Sequence, residues 1–350
     1  MDISDVKENI EFRKVQITGK SSYIVSLPKS WIKNNKIKRG DTIAIVEEDE
    51  GQLRIAKVLE TKKKERPAPK IILDNFSDSE LIITILGNYV MGVDNLEIAS
   101  ENEDMGALHK KVAVDSIRNL IGFEVISESQ SSIKVKNLLE PSDFHVGEVV
   151  NRLALVSSSM FKKAIKGVID MNPVNVEELE AQDDEVDRLY LLIQRLLILG
   201  IRDKVIAKKI GLDSNGAAMG WSVVVRSIER IADASMEIAQ QIEPLSNFKI
   251  PGDIQKLYSK LSEEAITLID EILAAGVQKN SKAAFEILRK IDKLCRTRND
   301  IRKAESEKTM EPKALIALET INCALKQILQ HARDYSKVII NSEYWEHLKY

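Results

Sequence analysis

Apolar positions divide this chain into a short alternating part and a long helical part. Val15 and Ile17, then Tyr23, Val25 and Leu27, fall at every second residue, the period of half-buried strands. Gly19-Lys20-Ser21-Ser22 lies between them as a turn. Pro28 precedes a short helix running to about Lys33, since proline suits a first helical turn. Arg39-Gly40-Asp41 reads as a second turn. Thr42–Val46 and Leu53–Ile55 then flank Glu48-Asp49-Glu50-Gly51 as a hairpin. A domain of ~50 residues has little core of its own and calls for support from a partner chain.

Residues 61–70, TKKKERPAPK, are basic and carry Pro67 and Pro69, the composition of an exposed linker. Residues 71–139 mix both periods. They predict a helix over Ser79–Val90, a strand over Asn95–Ala99, a helix over Met105–Ile121, and a hairpin of Phe123–Glu128 with Ser131–Leu138. From Glu140 onward the period is helical throughout, with breaks expected at Pro173, Gly200, Gly211, Pro244, Pro251 and Pro312. Val186, Leu189, Ile193 and Leu196 make one apolar stripe. Trp221, Val224, Ile228, Ile231 and Ile238 make the next, and Leu318, Leu325, Ile328 and Tyr335 a third. Six long helices with an interruption near 244–252 predict two three-helix bundles, a duplicated unit of roughly 100 residues.

Charge sharpens this division. Residues 13–39 hold eight Lys or Arg and no Asp or Glu, in a protein whose formal net charge is -3. Residues 1–70 contain 16 basic and 11 acidic side chains, so the remaining 280 residues are strongly acidic. A one-signed cationic patch on an acidic protein calls for a polyanion, with nucleic acid as the leading candidate. On the strands and turns of that stretch, Arg13, Lys14, Gln16, Lys20, Ser22 and Lys29 are the candidate DNA contacts, and Arg13 the candidate for a base contact. No apolar run approaches the ~20 residues of a spanning helix, and the charged N-terminus lacks a signal-peptide core. Both point to a cytoplasmic protein without membrane insertion. Cys295 and Cys323 fall in helical patterns and read as packed thiols.

Catalytic patterns are missing. Gly19-Lys20-Ser21 lacks the earlier glycine of a phosphate loop, since position 14 is lysine. His109, His145, His331 and His347 have no zinc spacing. Two carboxylate pairs stand out: Asp183 with Asp187, and Glu229 with Asp233. Four-residue spacing puts each pair on one helix face, beside the apolar stripe, where packed neighbours bring four carboxylates together. A divalent metal (Mg²⁺, Ca²⁺ or Mn²⁺) or iron would relieve their repulsion. On spacing alone a solvated acidic face, with Arg188 and Arg230 as partners, is the simpler reading.

Two resemblances bear on these patterns. Arg13-Lys14-Val15-Gln16-Ile17, Ser22 to Lys29 and Lys38 to Ile43 resemble the SpoVT/AbrB DNA-binding domain. That resemblance implies a swapped-hairpin β barrel made by two chains, with its basic face on DNA; the same fold occurs in antitoxins. Residues 140–345 resemble PhoU, the phosphate-signalling helical protein. Asp183-Asp184-Glu185-Val186-Asp187 and Ile228-Glu229-Arg230-Ile231-Ala232-Asp233 match its metal motifs, without the histidine that commonly follows. In the second bundle Lys326 and Gln330 stand where both acids belong, and Leu288 precedes Asp292 in place of an acid. The order of the two parts resembles archaeal phosphate uptake regulators.

The expected fold is therefore multidomain α+β. A DNA-binding barrel spans 1–60, a linker 61–70, a small α/β middle unit 71–139, and three-helix bundles 140–244 and 252–350. The expected function is non-enzymatic: a homodimeric, DNA-binding transcription regulator of phosphate homeostasis. The alternative is a PhoU-type adaptor that inhibits a phosphate transporter ATPase by protein contact, or engages another signalling protein, with the N-terminal domain only dimerising.

Overall fold

The computed structural model describes residues 11–19, 21–48, 52–57, 68–102 and 104–347. Lys20, the acidic hairpin tip and most of the linker lie outside them. The chain divides into two units, one ending at Arg66 and one starting at Pro67.

The first unit is built of two hairpins and one helical turn and a half. β1 (Gln16–Thr18) pairs antiparallel with β2 (Ser22–Ile24), with Ile17 opposite Tyr23 and Gln16 opposite Ile24. Gly19 starts the turn at φ +66°, a left-handed conformation that a side chain would strain. α1 (Lys29–Asn34) follows Pro28 as expected. β3 (Ile43–Glu48) pairs with β4 (Gln52–Lys57), Ile45 facing Ile55. Lys57 donates to the Lys36 carbonyl at 3.1 Å and pairs with Asp41 at 3.3 Å, tying this hairpin to the loop after α1. The two hairpins form separate two-stranded sheets, and no closed barrel is present among the described residues of this single chain. Val15, Ile17, Tyr23, Val25, Ile45 and Leu53 are all exposed.

The second unit begins with a four-stranded sheet in the order β5-β6-β8-β7. β5 (Lys70–Ile72) and β6 (Asn95–Ala99) are parallel, joined by α2 (Asp78–Val90). Ser77 and Glu80 form a capping box at the start of α2, satisfying two backbone donors reciprocally. α3 (Ala107–Arg118) leads to the hairpin β7 (Phe123–Glu128) and β8 (Ser132–Asn137). Leu81, Ile85, Tyr89, Ile98, Ile117 and Phe123 form the core of this layer.

Six long helices follow: α4 (Val146–Asp170), α5 (Val176–Arg202), α7 (Asn215–Ser246), α8 (Gly252–Val277), α9 (Ser281–Ser306) and α10 (Pro312–His347), with the short α6 (Lys204–Lys209) after α5. Asn175, Ser214 and Asn280 cap α5, α7 and α9 by accepting from the third backbone amide beyond them. Helices α4, α5 and α7 form one three-helix set, and α8, α9 and α10 the other. α7 packs along α10 and α4 along α8, so one continuous apolar core serves both sets. Among the described residues no helix is long and apolar enough to cross a membrane.

Two expected breaks are not breaks. Gly200 lies inside α5, where a Cβ would meet Leu212 at 2.8 Å and Ile210 at 3.0 Å. Its missing side chain lets the segment after α6 close on the helix. Pro244 sits in the last turn of α7, which continues to Ser246; it removes one ladder bond, to the Gln240 carbonyl, and the helix ends two residues later.

Arg195 of α5 joins the sheet layer to the helices. Its side chain is 3% exposed. It donates to the carbonyls of Tyr89 at 2.7 Å and Val93 at 2.9 Å, and to Asp94 Oδ1 at 2.6 Å. Its guanidinium also lies over the rings of Tyr89 and Phe123. Arg202 adds a bond to the Met91 carbonyl. Substituting Arg195 with Met removes three hydrogen bonds and leaves the Val93 carbonyl without its donor, while the Tyr89 carbonyl keeps the Gly92 amide; a loss of about 2–4 kcal/mol is expected. A lower urea midpoint, with faster amide exchange in residues 70–137 than in the helices, is the measurement that checks it.

Candidate functional site

The carboxylates singled out by spacing sit on α5 and α7, which pack side by side. The structure brings three of the four together. Asp187, Glu229 and Asp233 each offer a carboxylate oxygen within 4.8 Å of the others. Asp183, one turn earlier on α5, stays outside this triad; its Oδ1 is buried without a hydrogen-bond partner. Which acid of α5 meets α7 follows from the register between the helices, to which four-residue spacing within one helix is blind.

Glu229 is the enclosed member, 8% exposed. Its Oε2 is buried and accepts no hydrogen bond, although Arg230 Nε approaches it at 3.5 Å. Arg230 Nη1 donates to Asp233 at 2.9 Å. Burial pushes the Glu229 carboxyl up to about 7, with the Asp233 charge adding to it and Arg230 and Arg226 opposing. Burial, helped by Asp187, raises Asp183 to about 6. Asp187 is raised too, by burial and then Asp233. Arg230 thus satisfies part of the cluster. It leaves a buried oxygen and a net negative charge, an arrangement a hard cation fits.

The second helix set differs. Asp292 pairs with Arg333 at 2.6 Å, while Lys326 and Gln330 are exposed. Among the described residues no second group of clustered ligands forms there. The half-buried His331 of α10 was a scattered histidine in the sequence. Its pKa is lowered, first by burial, with Asp334, Arg230, Arg226 and Asp233 around it, which locates it across the α7–α10 seam. Only tertiary packing brings it there.

The candidate nucleic-acid contacts lie on the first unit. Gln16 and Ser22 share one face of the β1–β2 hairpin with Thr18 and Ile24. Lys14 and Lys29 are exposed, the latter at the first position of α1. Arg13 is exposed and held by Glu11, so its charge is partly spoken for within the chain. Lys20 lies outside the described residues.

Comparison with known proteins gives two family matches. Residues 150–242 match the PhoU domain. Residues 16–67 match the family described as antidote-toxin recognition MazE, bacterial antitoxin. No curated protein sequence matches the chain. Two solved structures are similar to the helical part. The crystal structure of PhoU from Pseudomonas aeruginosa has 15% identity and a TM-score of 0.49, covering 57% of this chain and 96% of that one. The phosphate transport system regulatory protein PhoU from Streptococcus pneumoniae has 13% identity and a TM-score of 0.41, covering 56% and 88%.

A carboxyl whose folded-state pKa is raised binds its proton more tightly in the folded chain. Metal-free protein should therefore lose stability as pH rises from 4.5 toward about 7, the window over which Glu229 ionises against its surroundings. Glu229→Gln should flatten that decline and melt higher than the parent at pH 8. The gain is about 2–4 °C for each kcal/mol relieved. Thermal scans across pH in the presence of a chelator measure it.

Proposed function

We propose that this chain, which carries a PhoU domain and an N-terminal domain of the MazE/AbrB type, is a homodimeric, DNA-binding regulator of phosphate uptake genes. The observation that carries the proposal is in the first unit. Not one of the side chains described between residues 11 and 57 is buried, yet its strands carry Ile17, Tyr23, Ile45 and Leu53, with Val15 and Val25 flanking the first two. Hairpins with apolar faces and no core are stable only when another surface covers them. A second copy closing a swapped-hairpin barrel does this and leaves the acid-free stretch 13–39 on one outer face. That face, positive on an acidic protein, suits phosphates.

In this reading the helical half receives phosphate status by binding, not by chemistry. The triad Asp187, Glu229 and Asp233, with Asp183 beside it, holds a divalent cation such as Mg²⁺, Ca²⁺ or Mn²⁺, or iron. The cation neutralises the buried Glu229 oxygen and joins α5 to α7. Because α5 also carries Arg195, a change at the triad has one helix through which to reach the α/β layer. Coupling of this kind is reciprocal: whatever the helical half binds with DNA-dependent affinity must alter DNA affinity by the same factor. The rival reading is an adaptor acting on a phosphate transporter ATPase, and it rests on the PhoU match alone.

DNA retardation at rising salt separates the two. The proposed regulator should lose affinity linearly on a log–log plot, with a slope near -0.9 per phosphate contacted. Replacing Arg13, Lys14, Lys20 and Lys29 together by Ala should weaken binding at least tenfold and flatten the slope. Wild-type retardation by that variant leaves the adaptor reading standing.

Metal content of the purified protein tests the triad. The double variant Glu229→Gln, Asp233→Asn should carry no bound divalent metal after equilibration with Mn²⁺, while the parent retains about one ion per chain. Equal content in the two removes the triad from the proposal.

A further inference from the structure

Where the α/β layer meets the helices there is a cavity of ≈ 370 Å³, within the range of small-molecule sites, roughly 300–1,000 Å³. Three helices line it. α2 packs against both α3 and α5, and its Ile82 and Leu86 line the cavity together with Val112 of α3 and Leu191 of α5. All four are half-buried, an aliphatic lining left partly open to water. Residues 71–139, which supply two of the three helices, lie outside both family matches.

The polar part of the lining carries both signs. Asp115 of α3 and Asp184 of α5 bring carboxylates, and Arg188, one turn beyond Asp184, brings a guanidinium. On α5 the residues Asp184, Arg188 and Leu191 are spaced i, i+4 and i+7, which places them on one face. Asp184 and Arg188 stand at the spacing of an intrahelical ion pair, yet among the described residues neither has an ion-pair or hydrogen-bond partner. The neighbouring arginines are engaged: Arg195 by Asp94, Arg226 by Tyr190 and Arg230 by Asp233. Asp115 has Arg118 at 3.7 Å, both side chains being exposed. Asp187 lines the cavity too, but its carboxylate is shared with Glu229 and Asp233.

We propose that this cavity binds a free aliphatic α-amino acid, its ammonium taken by the carboxylates, its carboxylate by Arg188 and its side chain by the lining of Ile82, Leu86, Val112 and Leu191. Each other class of small ligand leaves part of the lining unanswered. Inorganic phosphate or a phosphate ester meets three carboxylates for one arginine. A diamine matches the carboxylates and is repelled by Arg188. A neutral apolar molecule covers the aliphatic lining and strips water from charges it cannot pair. A zwitterion with an apolar body answers all three parts. Charges this accessible to water contribute little each, so the site suits an abundant metabolite bound at modest affinity. The ligand touches α2, α3 and α5 together and thus adds to the tie that Arg195 makes between the layer and the helices. It gives the chain an input separate from phosphate and from the metal triad, with which it shares only Asp187.

The test uses the full chain. Calorimetric titration with L-leucine should show one site per chain. Tm should rise once leucine exceeds its Kd, as ligand linkage requires, and amide exchange should slow in α2, in α3 and around Asp184–Leu191 of α5. Asp184→Asn and Arg188→Gln should each weaken binding at least fivefold; both side chains are exposed, so the fold should hold. The Mn²⁺ content of both variants should equal that of the parent, which separates failure of this site from failure of the triad. No heat and no Tm change with leucine, isoleucine or valine overturns the proposal, and so does leucine binding indifferent to either substitution. Putrescine or isovalerate binding in place of leucine overturns the zwitterion assignment, as does inorganic phosphate binding that depends on Arg188.

Discussion

A buried guanidinium is the central tie between the sheet layer and the helices. Arg195 leaves α5, lies over the rings of Tyr89 and Phe123, and ends on two carbonyls and a carboxylate of the α/β layer. Burial lowers its pKa, and the attraction of Asp94 opposes that. Its planar fork of donors suits three acceptors converging from one loop, a task a lysine could not share in the same way. The same helix carries Asp187 two turns earlier, a separation of about 12 Å along its axis. The acid triad and the α/β layer are therefore read by one rigid element.

The two helix sets share a core and a topology but spend their polar residues differently. In the first, polarity lies at the flank, as an acid triad around Glu229. In the second it lies inside, as the layers of Tyr258 with Glu305 and Arg298 with Asn322. The flank positions of the second set are neutralised, Asp292 by Arg333. Buried polar layers constrain which helices pair and in what register, because a slipped arrangement strands their donors. An acid cluster does the reverse: its like charges set α5 against α7 where they meet.

The N-terminal unit follows a third logic. It has strands, turns and apolar faces, and no buried residue among those described. Turn chemistry specifies its hairpins locally, with Gly19 and Gly40 in left-handed conformations. Among its described residues a single chain supplies it no core.

Periodicity and capping are local properties, so the sequence by itself determined the elements. The strand at Asn95–Ala99, the helix ending at Val90 and the six long helices all lie where apolar spacing and cap residues put them. It also determined the charge contrast between the basic first unit and the acidic rest. Four-residue spacing placed Asp183 and Asp187 on one face, as geometry within a helix must. Tertiary structure alone decided that Asp187, not Asp183, meets Glu229, because that depends on how far α5 is displaced along α7. It decided that Gly200 is a contact surface and not a break, since the residues that press on it arrive from beyond the next turn. It placed His331 at the α7–α10 seam, and it joined Arg195 to residues about a hundred positions away. Contacts of that span carry no periodic signature, so the chain states them only once it has folded.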